Sequence, residues 1–315
     1  MFPEPHFIDI NGIRMAVHEI GAGEPVIFVH GFPELAFSWR FQLPAMAAAG
    51  CRAIAPDQRG YGKTDAPPDV EDYRVEELVG DLCGLLDSLQ LERATFVGHD
   101  WGGLVLWHMA LLQPDRVERM AVLNIPFWPR SPSDPIELAR QRLGDDFYIV
   151  NFQDSHAADH AFAADVGHFF DMLMRKNQVS RAEFEKLPPE KRVLSLLQTI
   201  ARTEASGDPI LSAEERAVFV AAFENSGFTG PINWYRNWSH NWESMQGVPQ
   251  LVNVPTLFIG AENDVLISPE HIEGMKPFVP DLEIHMLECG HWTQQEKPEE
   301  VNEILTAWLA QPKPL

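Results

Sequence analysis

The sequence contains few cysteines, few tyrosines and few basic residues. Its 315 residues include three cysteines, four tyrosines and 24 Lys and Arg against 46 Asp and Glu. The odd number of cysteines (Cys51, Cys83 and Cys289) and the absence of metal-type spacing argue against a disulfide framework and for reduced thiols. The formal net charge of −22 disfavours binding to nucleic acid or to anionic membrane surfaces.

The sequence also lacks any run of eighteen apolar residues and any charged-then-apolar leader, which argues against a membrane span and a secretory signal. We therefore expect a cytoplasmic protein, and both a single chain and a homo-oligomer stay open. With 45% hydrophobic and 22% charged residues, the composition is that of a globular protein. The length suits two ordinary domains or one α/β domain with an insertion.

Short apolar runs alternate with amphipathic stretches along the chain, which predicts a mostly parallel sheet flanked by helices. The strand signal stops between 129 and 247, where the pattern becomes helical and is bracketed by turn-prone segments. We predict a helical cap at 129–247, inserted between two parts of an α/β core at 1–128 and 248–315. The six predicted strands are "PVIFVH" (25–30), "CRAIAPD" (51–57), "ATFVGHD" (94–100), "ERMAVLNI" (118–125), "VPTLFIG" (254–260) and "LEIHMLE" (282–288).

Residues 97–103 read "VGHDWGG", in which a small residue stands two positions before and two positions after Asp100. This spacing is typical of a nucleophile elbow, a tight strand-to-helix turn that exposes the central side chain. The flanking sequence reads as a strand before Asp100 and a helix after it, as the motif requires. An Asp that only caps a helix is the alternative interpretation. The partners found further along the chain favour a nucleophile.

A nucleophile on this type of sheet is followed in sequence by an acid and then by a histidine. Asp264 follows one predicted strand and His291 follows the next, so both are expected at the carboxyl edge of the sheet. Glu262 is the rival acid, but Asp264 has the better turn setting. The other acid position, after the fourth strand, holds Asn124, which cannot be a carboxylate.

The segment "VHGFPE" (29–34) directly follows a strand. We predict that the backbone N–H groups of Phe32 and Trp101 form an oxyanion hole, and that Pro33 holds the turn through a cis bond. His30 and His99 are expected to brace the loops rather than to take part in the chemistry.

Attack by Asp100 on an ester or amide would give an unstable anhydride, whereas attack on a saturated carbon with a leaving group gives a stable ester. Water activated by His291 could then hydrolyse that ester without any metal or organic cofactor. A halide can leave unaided, but an epoxide oxygen needs a proton, which tyrosine can donate. Of the four tyrosines, Tyr61 and Tyr73 belong to the core, and two lie in the predicted cap.

The sequence resembles the α/β-hydrolase-fold epoxide hydrolases of the bacterial and soluble type over nearly the whole chain. Six segments carry the resemblance, and they occur in the same order as in that family. The resemblance implies that Asp100 is the nucleophile, Asp264 the orienting acid and His291 the base, and that Tyr235 and Tyr148 protonate the epoxide oxygen. It also implies a small hydrophobic epoxide and water as the partners. The segments are "VHGFPE", "APDQRGYGKTDAP", "VGHDWGG", "GFTGPINWYRNW", "GAENDVLI" and "GHWTQQEKPEEVN".

The alternatives are a haloalkane or haloacid dehalogenase with the same nucleophile and a non-catalytic receptor on the same fold. Haloalkane dehalogenases typically carry Asn at the position of Phe32, and fluoroacetate dehalogenases carry Arg at the position of Trp101. The receptor is disfavoured because it need not retain a complete nucleophile, acid and base. Three further features do not decide the function. His156 and His160 alone make a poor metal site, and Glu34 could either stabilise its turn or face the site. Trp234, Trp238 and Trp242 repeat every four residues, as on a buried helix face, and could either line the pocket or pack in the core.

Overall fold

The computed structural model describes residues 2–154, 156–176, 180–188 and 191–312. In these ranges eight strands form one sheet in the order β1-β2-β4-β3-β5-β6-β7-β8. Strands β1, β2 and β4 pair antiparallel, and all pairs from β4 to β8 are parallel. The strands are β1 (His6–Ile10), β2 (Ile13–Gly21), β3 (Glu24–Val29), β4 (Cys51–Pro56), β5 (Ala94–His99), β6 (Val117–Leu123), β7 (Thr256–Ala261) and β8 (Leu282–Leu287).

The central strands are apolar runs because both of their faces are covered. In β3, Ile27 and Val29 join the apolar cluster on one face of the sheet, and Val26 and Phe28 join the cluster on the other. All six residues of β5 and of β7 are buried. Successive side chains of a strand point to opposite faces, so continuous hydrophobicity is what a two-sided core requires.

Helices cover both faces of the sheet. The apolar residues of α1 and α15 pack on one face, and those of α2 and α3 pack on the other. The helices are α1 (Gln42–Ala48), α2 (Val75–Ser88), α3 (Trp101–Leu112), α4 (Pro135–Leu143), α5 (Tyr148–Asp154), α6 (Ala157–Ala164), α7 (Val166–Leu173), α8 (Arg181–Phe184), α9 (Leu196–Ile200), α10 (Ala213–Ser226), α11 (Thr229–Arg236), α12 (Trp238–Ser244), α13 (Pro269–Met275), α14 (Thr293–Glu296) and α15 (Pro298–Leu309).

Helices α4 to α12 all lie between β6 and β7, within the predicted cap at 129–247. The mostly parallel sheet with flanking helices and a helical insertion is therefore confirmed, whereas the domain boundaries stay a prediction. In the described part of the chain no helix has the length and apolarity needed to cross a bilayer.

Two details of the structure add to what the sequence predicts. The segment before β3 forms an antiparallel hairpin, with a turn at Asn11 and Gly12 that both have positive φ. The regular spacing of three tryptophans does not mark one helix face, because the chain leaves the helix at Asn237. Trp234 belongs to α11 and is fully buried, whereas Trp238 and Trp242 belong to α12 and are half-buried.

Candidate active site

The predicted site residues of the core follow successive parallel strands and therefore meet at one edge of the sheet. Phe32 follows β3, Asp100 follows β5, Asn124 follows β6, Asp264 follows β7 and His291 follows β8. The carboxyl ends of parallel strands lie side by side. Five residues spread over 260 positions of sequence thus line one cleft.

Asp100 occupies a strained turn between β5 and α3. Its backbone has φ 51° and ψ −121°, a conformation that a non-glycine residue rarely adopts. Two glycines make the turn feasible: a Cβ at Gly31 would collide with the Asp100 carboxylate, and a Cβ at Gly102 would collide with the Val29 carbonyl. The absence of side chains at Gly31 and Gly102 therefore allows this turn to present the Asp100 side chain, which is the arrangement of a nucleophile elbow.

The Asp100 carboxylate has a different neighbour at each oxygen. The Phe32 N–H donates to Oδ1 at 2.8 Å, and the His291 Nε2 lies 3.6 Å from Oδ2. Trp101, the first residue of α3, contributes one of the N–H groups of the first turn, which have no partner inside the helix. The Phe32–Pro33 peptide is cis, as the sequence predicts.

His291 contacts the carboxylate of Asp264 and not that of Glu262. The Nδ1 of His291 lies 2.7 Å from the Asp264 Oδ2, while Glu262 is exposed. Asn124 donates to the same Oδ2 at 2.8 Å, and the Leu266 N–H donates to Oδ1 at 3.0 Å. Burial disfavours the charged form of Asp264, but His291 and these donors outweigh burial and lower its pKa.

The position after β6 could have carried an acid. It holds Asn124, whose side-chain amide donates a hydrogen bond to the carboxylate of Asp264. The Thr293 hydroxyl donates to the Asn124 Oδ1 at 2.7 Å, which leaves the Asn124 NH₂ facing Asp264. The contact between Asn124 and Thr293 was not predicted from the sequence. The residue type at position 124 was the available signal, because its φ of 68° is one that Asn adopts more readily than most residues.

The pKa of His291 reflects opposing effects. Burial alone would lower it, but the charge of Asp264 and the hydrogen bond to Asp264, followed by the charge of Asp100, raise it to about 9. Loss of the charge on Asp100 would remove part of this support. The basicity of His291 is therefore coupled to the state of Asp100.

Tyr148 and Tyr235 approach from the cap, from the first turn of α5 and from α11. Their ring centroids lie 5.8 Å apart, and Tyr235 also stands edge-on to Phe32 at 5.4 Å and to Trp101 at 5.0 Å. Burial raises the pKa of both phenols, and the negative charge of Asp100 adds to the effect. Both hydroxyls therefore keep their protons at neutral pH.

The two tyrosines of the core have other surroundings. The Tyr73 hydroxyl donates to the Pro67 carbonyl at 2.7 Å, which stabilises its own loop. The Tyr61 ring packs edge-on against His30 at 4.8 Å and is fully buried. Of the four tyrosines, Tyr235 is the one with a ring contact to Trp101, and Tyr148 contacts the ring of Tyr235.

Glu34, whose role the sequence left open, is a fully buried carboxylate behind the loop of Phe32. It accepts from the Gly31 N–H at 3.0 Å and pairs with the His99 Nδ1 at 2.7 Å, and His99 Nε2 in turn lies 2.8 Å from the His291 carbonyl oxygen. Burial opposes the charge of Glu34, but His99 and Gly31 lower its pKa to about 2. His99 thus braces the loop of the base, as predicted.

Side-chain amides complete this network. Gln294 and Gln295 donate to the Glu34 Oε1 at 2.8 and 3.0 Å. The loop that carries Phe32 and the loop that carries His291 are therefore tied to one buried charge. The segment "TQQE" gave no sign of this from sequence alone, because the two loops lie about 260 residues apart.

We found no metal-type cluster of three or more His, Cys, Asp or Glu side chains within the described ranges. The rings of His156 and His160 lie 6.4 Å apart, and the Asp159 carboxylate lies 3.3 Å from the His156 Nδ1. The contacts of the core site are side-chain and backbone hydrogen bonds.

Comparison with known proteins agrees with this geometry. Residues 24–298 match the family model of the alpha/beta hydrolase fold. Epoxide hydrolase A of Mycobacterium tuberculosis is 38% identical over 98% of this chain and 97% of its own. The bifunctional epoxide hydrolase 2 of Sus scrofa is 39% identical over 95% of this chain, which spans about half (53%) of that relative's length.

Solved structures show the same similarity. The crystal structure of epoxide hydrolase A from Mycobacterium thermoresistibile superposes with a TM-score of 0.87 at 36% identity and covers 98% of both chains. An epoxide hydrolase from Vigna radiata superposes with a TM-score of 0.87 at 33% identity over 97% of both chains. With a relative at this identity aligned from end to end, the chain belongs to the epoxide hydrolases of the α/β hydrolase fold.

Proposed function

We propose that this protein hydrolyses a small hydrophobic epoxide to a vicinal diol through a covalent ester on Asp100. The proposal is supported most strongly by one juxtaposition: a carboxylate in a strained turn faces the buried Tyr235 and the half-buried Tyr148, whose phenols keep their protons. A carboxylate can attack a saturated carbon, and a phenol can protonate the oxygen that leaves it.

In the first step the Asp100 Oδ2 attacks an epoxide carbon. Oδ1 is held by the Phe32 N–H, so Oδ2 is the oxygen left to act as the nucleophile. The carbon–oxygen bond of the ring breaks, and Tyr235 and Tyr148 donate hydrogen bonds and a proton to the oxygen as it develops negative charge. Formation of the ester removes the negative charge of Asp100.

In the second step His291 takes a proton from a water molecule, which attacks the carbonyl carbon of the ester. Asp264 holds the Nδ1 side of the ring, which leaves Nε2 as the base. Negative charge then develops on Oδ1, next to the N–H groups of Phe32 and Trp101. Collapse of this intermediate breaks the bond between the acyl carbon and the diol oxygen, and the protonated His291 gives its proton to that oxygen as the diol leaves. The proton left on the Asp100 carboxyl group returns to the tyrosinate formed in the first step, which restores the carboxylate, the imidazole and the phenol.

The composition supports a cytoplasmic location for this reaction. The cysteines are thiols rather than disulfides, which suits a reducing compartment. Epoxide and water are the only reactants, and the residues named above perform each proton transfer.

A single turnover in heavy-oxygen water tests the mechanism. The first diol should be unlabelled, because its new oxygen comes from Asp100, and the label should appear in the peptide containing Asp100 by mass spectrometry. Label in the first diol would instead show direct attack by water and would reject the ester.

A panel of epoxides and haloalkanes, with diol and halide release measured side by side, separates the alternatives. Halide release without diol release would identify a dehalogenase. A receptor would release neither product.

A further inference from the structure

A second cavity lies beside the proposed epoxide site, at the seam between the core and the cap helices. Its volume is about 290 Å³, and it lies between α3, α12 and the segment that follows β6. The lining is mainly aromatic and aliphatic, with five tryptophans: Trp101, Trp107, Trp128, Trp238 and Trp242. For comparison, an apolar cavity of about 150 Å³ can hold benzene.

Apart from Trp101, whose backbone N–H we assign to the oxyanion hole, the lining of this cavity includes none of the residues to which we assign chemistry. Asp100, Tyr148, Tyr235 and His291 do not contribute to its wall. Only Trp101 and Trp238 belong to the cavity and also contact the Tyr235 ring, at centroid distances of 5.0 and 6.0 Å. These two indoles therefore stand between the cavity and the site.

The two indoles contact each other directly. Their centroids lie 5.2 Å apart with the planes at 66°, so they form a continuous wall. The fully buried ring of Phe152 also packs against Tyr235, at a centroid distance of 5.1 Å. The site around Tyr235 is thus compact, although a large apolar space lies directly behind the wall.

We propose that Trp101 and Trp238 form a partition that restricts this enzyme to epoxides with their bulk on one ring carbon. The inference rests on the proposed function and names its substrate class. An epoxide with an aryl group on each carbon needs a second apolar compartment. The cavity could supply it, but the indole of Trp238 blocks the way.

Trp238 is the part of the partition that can be removed cleanly. The backbone of Trp101 belongs to the nucleophile turn, whereas Trp238 begins α12, is half-buried and lies outside that turn. Trp242 provides a matched control. It lines the same cavity from the same helix, but its ring lies over the Arg130 guanidinium and its Nε1 donates to the Ser131 carbonyl.

The experiment compares kcat/KM for phenyl-substituted terminal epoxide and for the trans epoxide with a phenyl group on each carbon. In Trp238→Ala we expect the ratio of diphenyl to monophenyl substrate to rise at least ~10-fold, since even one methylene of misfit changes kcat/KM by ~10- to 200-fold. In Trp242→Ala, which enlarges the cavity but leaves the partition intact, the ratio should stay at the wild-type value.

Equilibrium binding of the two diol products, measured by calorimetry, gives a readout that does not depend on turnover. Trp238→Ala should gain affinity for the diphenyl diol relative to the monophenyl diol, and Trp242→Ala should not. An unchanged preference in Trp238→Ala, in both binding and turnover, would overturn the partition. Absence of hydrolysis in the wild type would reject the proposed function, and the binding result would still decide the partition.

Discussion

On the core side of the site, the proposed nucleophile, acid and base have polar partners at 2.7–2.8 Å, whereas on the cap side the two tyrosines are enclosed by aromatic rings. Hydrogen bonds stabilise charge and fix direction. Ring packing excludes water and so keeps a phenol neutral.

The core side and the cap side of the site therefore have different roles in the proposed reaction. The core side carries the charged species of both steps, a carboxylate, an imidazolium and an oxyanion, and each of these needs directed donors or acceptors. The cap side supplies a proton once per turnover, and a buried neutral phenol suits that task. We therefore expect substitutions of His291 and Asp264 to slow ester hydrolysis, and substitutions of the cap tyrosines to slow ester formation.

The largest separation is expected for His291→Gln. Ester formation on Asp100 should continue, whereas hydrolysis should slow by ~100- to 10,000-fold because the general base is gone. Intact-protein mass spectrometry after mixing with the epoxide should therefore show a stable adduct. An inactive variant that forms no adduct would assign His291 to the first step instead.

A matched pair of acid substitutions sharpens this result. Asp264→Asn should also accumulate the adduct, because it removes the negative charge that supports His291 as a base from a contact of 2.7 Å. Glu262→Gln should behave as the wild type, since Glu262 is exposed on the same loop. Adduct accumulation in Glu262→Gln would give the acid role to the other carboxylate.

The next effect concerns the cap. In the double variant Tyr148→Phe/Tyr235→Phe the rate of ester formation should fall by ~100- to 10,000-fold, because the oxygen would leave without general acid catalysis. Each single variant should retain part of the rate, since one hydroxyl remains. Rapid-mixing kinetics that resolve ester formation from hydrolysis should show the hydrolysis step nearly unchanged.

The core tyrosine Tyr73 offers the control for this experiment. Its hydroxyl donates to Pro67 in the core loop, so Tyr73→Phe should leave the rate of ester formation unchanged in folded protein. Unchanged ester formation in the folded double variant would reject the role of the cap tyrosines. It would then favour a leaving group that needs no proton, such as a halide.

The same comparison explains what the sequence could predict. Six of the eight strands were recognisable because each is a short apolar run, and Asp100, Asp264 and His291 were recognisable because each stands shortly after such a run. Tyr148 and Tyr235 were found by their chemistry and by resemblance, since nothing in the helical pattern of the cap says which ring faces the core.

Long-range polar partners were not predictable. Glu34 meets Gln294 and Gln295 across about 260 residues, and such a contact leaves no local periodicity. The Trp101–Trp238 contact was hidden for another reason. The four-residue spacing of the tryptophans resembles one buried helix face, but the break at Asn237 places Trp238 in a new helix beside the cavity.

The smallest expected effect is a change in pKa rather than a loss of turnover. Asp100 helps to hold the pKa of His291 at about 9, so the nearly isosteric Asp100→Asn, which removes the charge, should lower that pKa. An NMR titration of the His291 ring measures it, with mass spectrometry to verify that the amide persists. The exposed exchange Glu303→Gln serves as the control and should leave the pKa at about 9.

The sign of that change matters for the mechanism. Imidazole acts as a base only above its pKa, and the ester intermediate lacks the charge of Asp100 just as Asp100→Asn does. A lower pKa in the variant therefore implies that ester formation lowers the pKa of His291. The neutral imidazole, which acts as the base, would then be present at lower pH. The rate of ester hydrolysis, followed by rapid mixing, should then reach its plateau below pH 9. A His291 pKa that stays at about 9 in Asp100→Asn would show that the charge of Asp100 does not set the basicity of the ring, and that the two steps are not coupled through this charge.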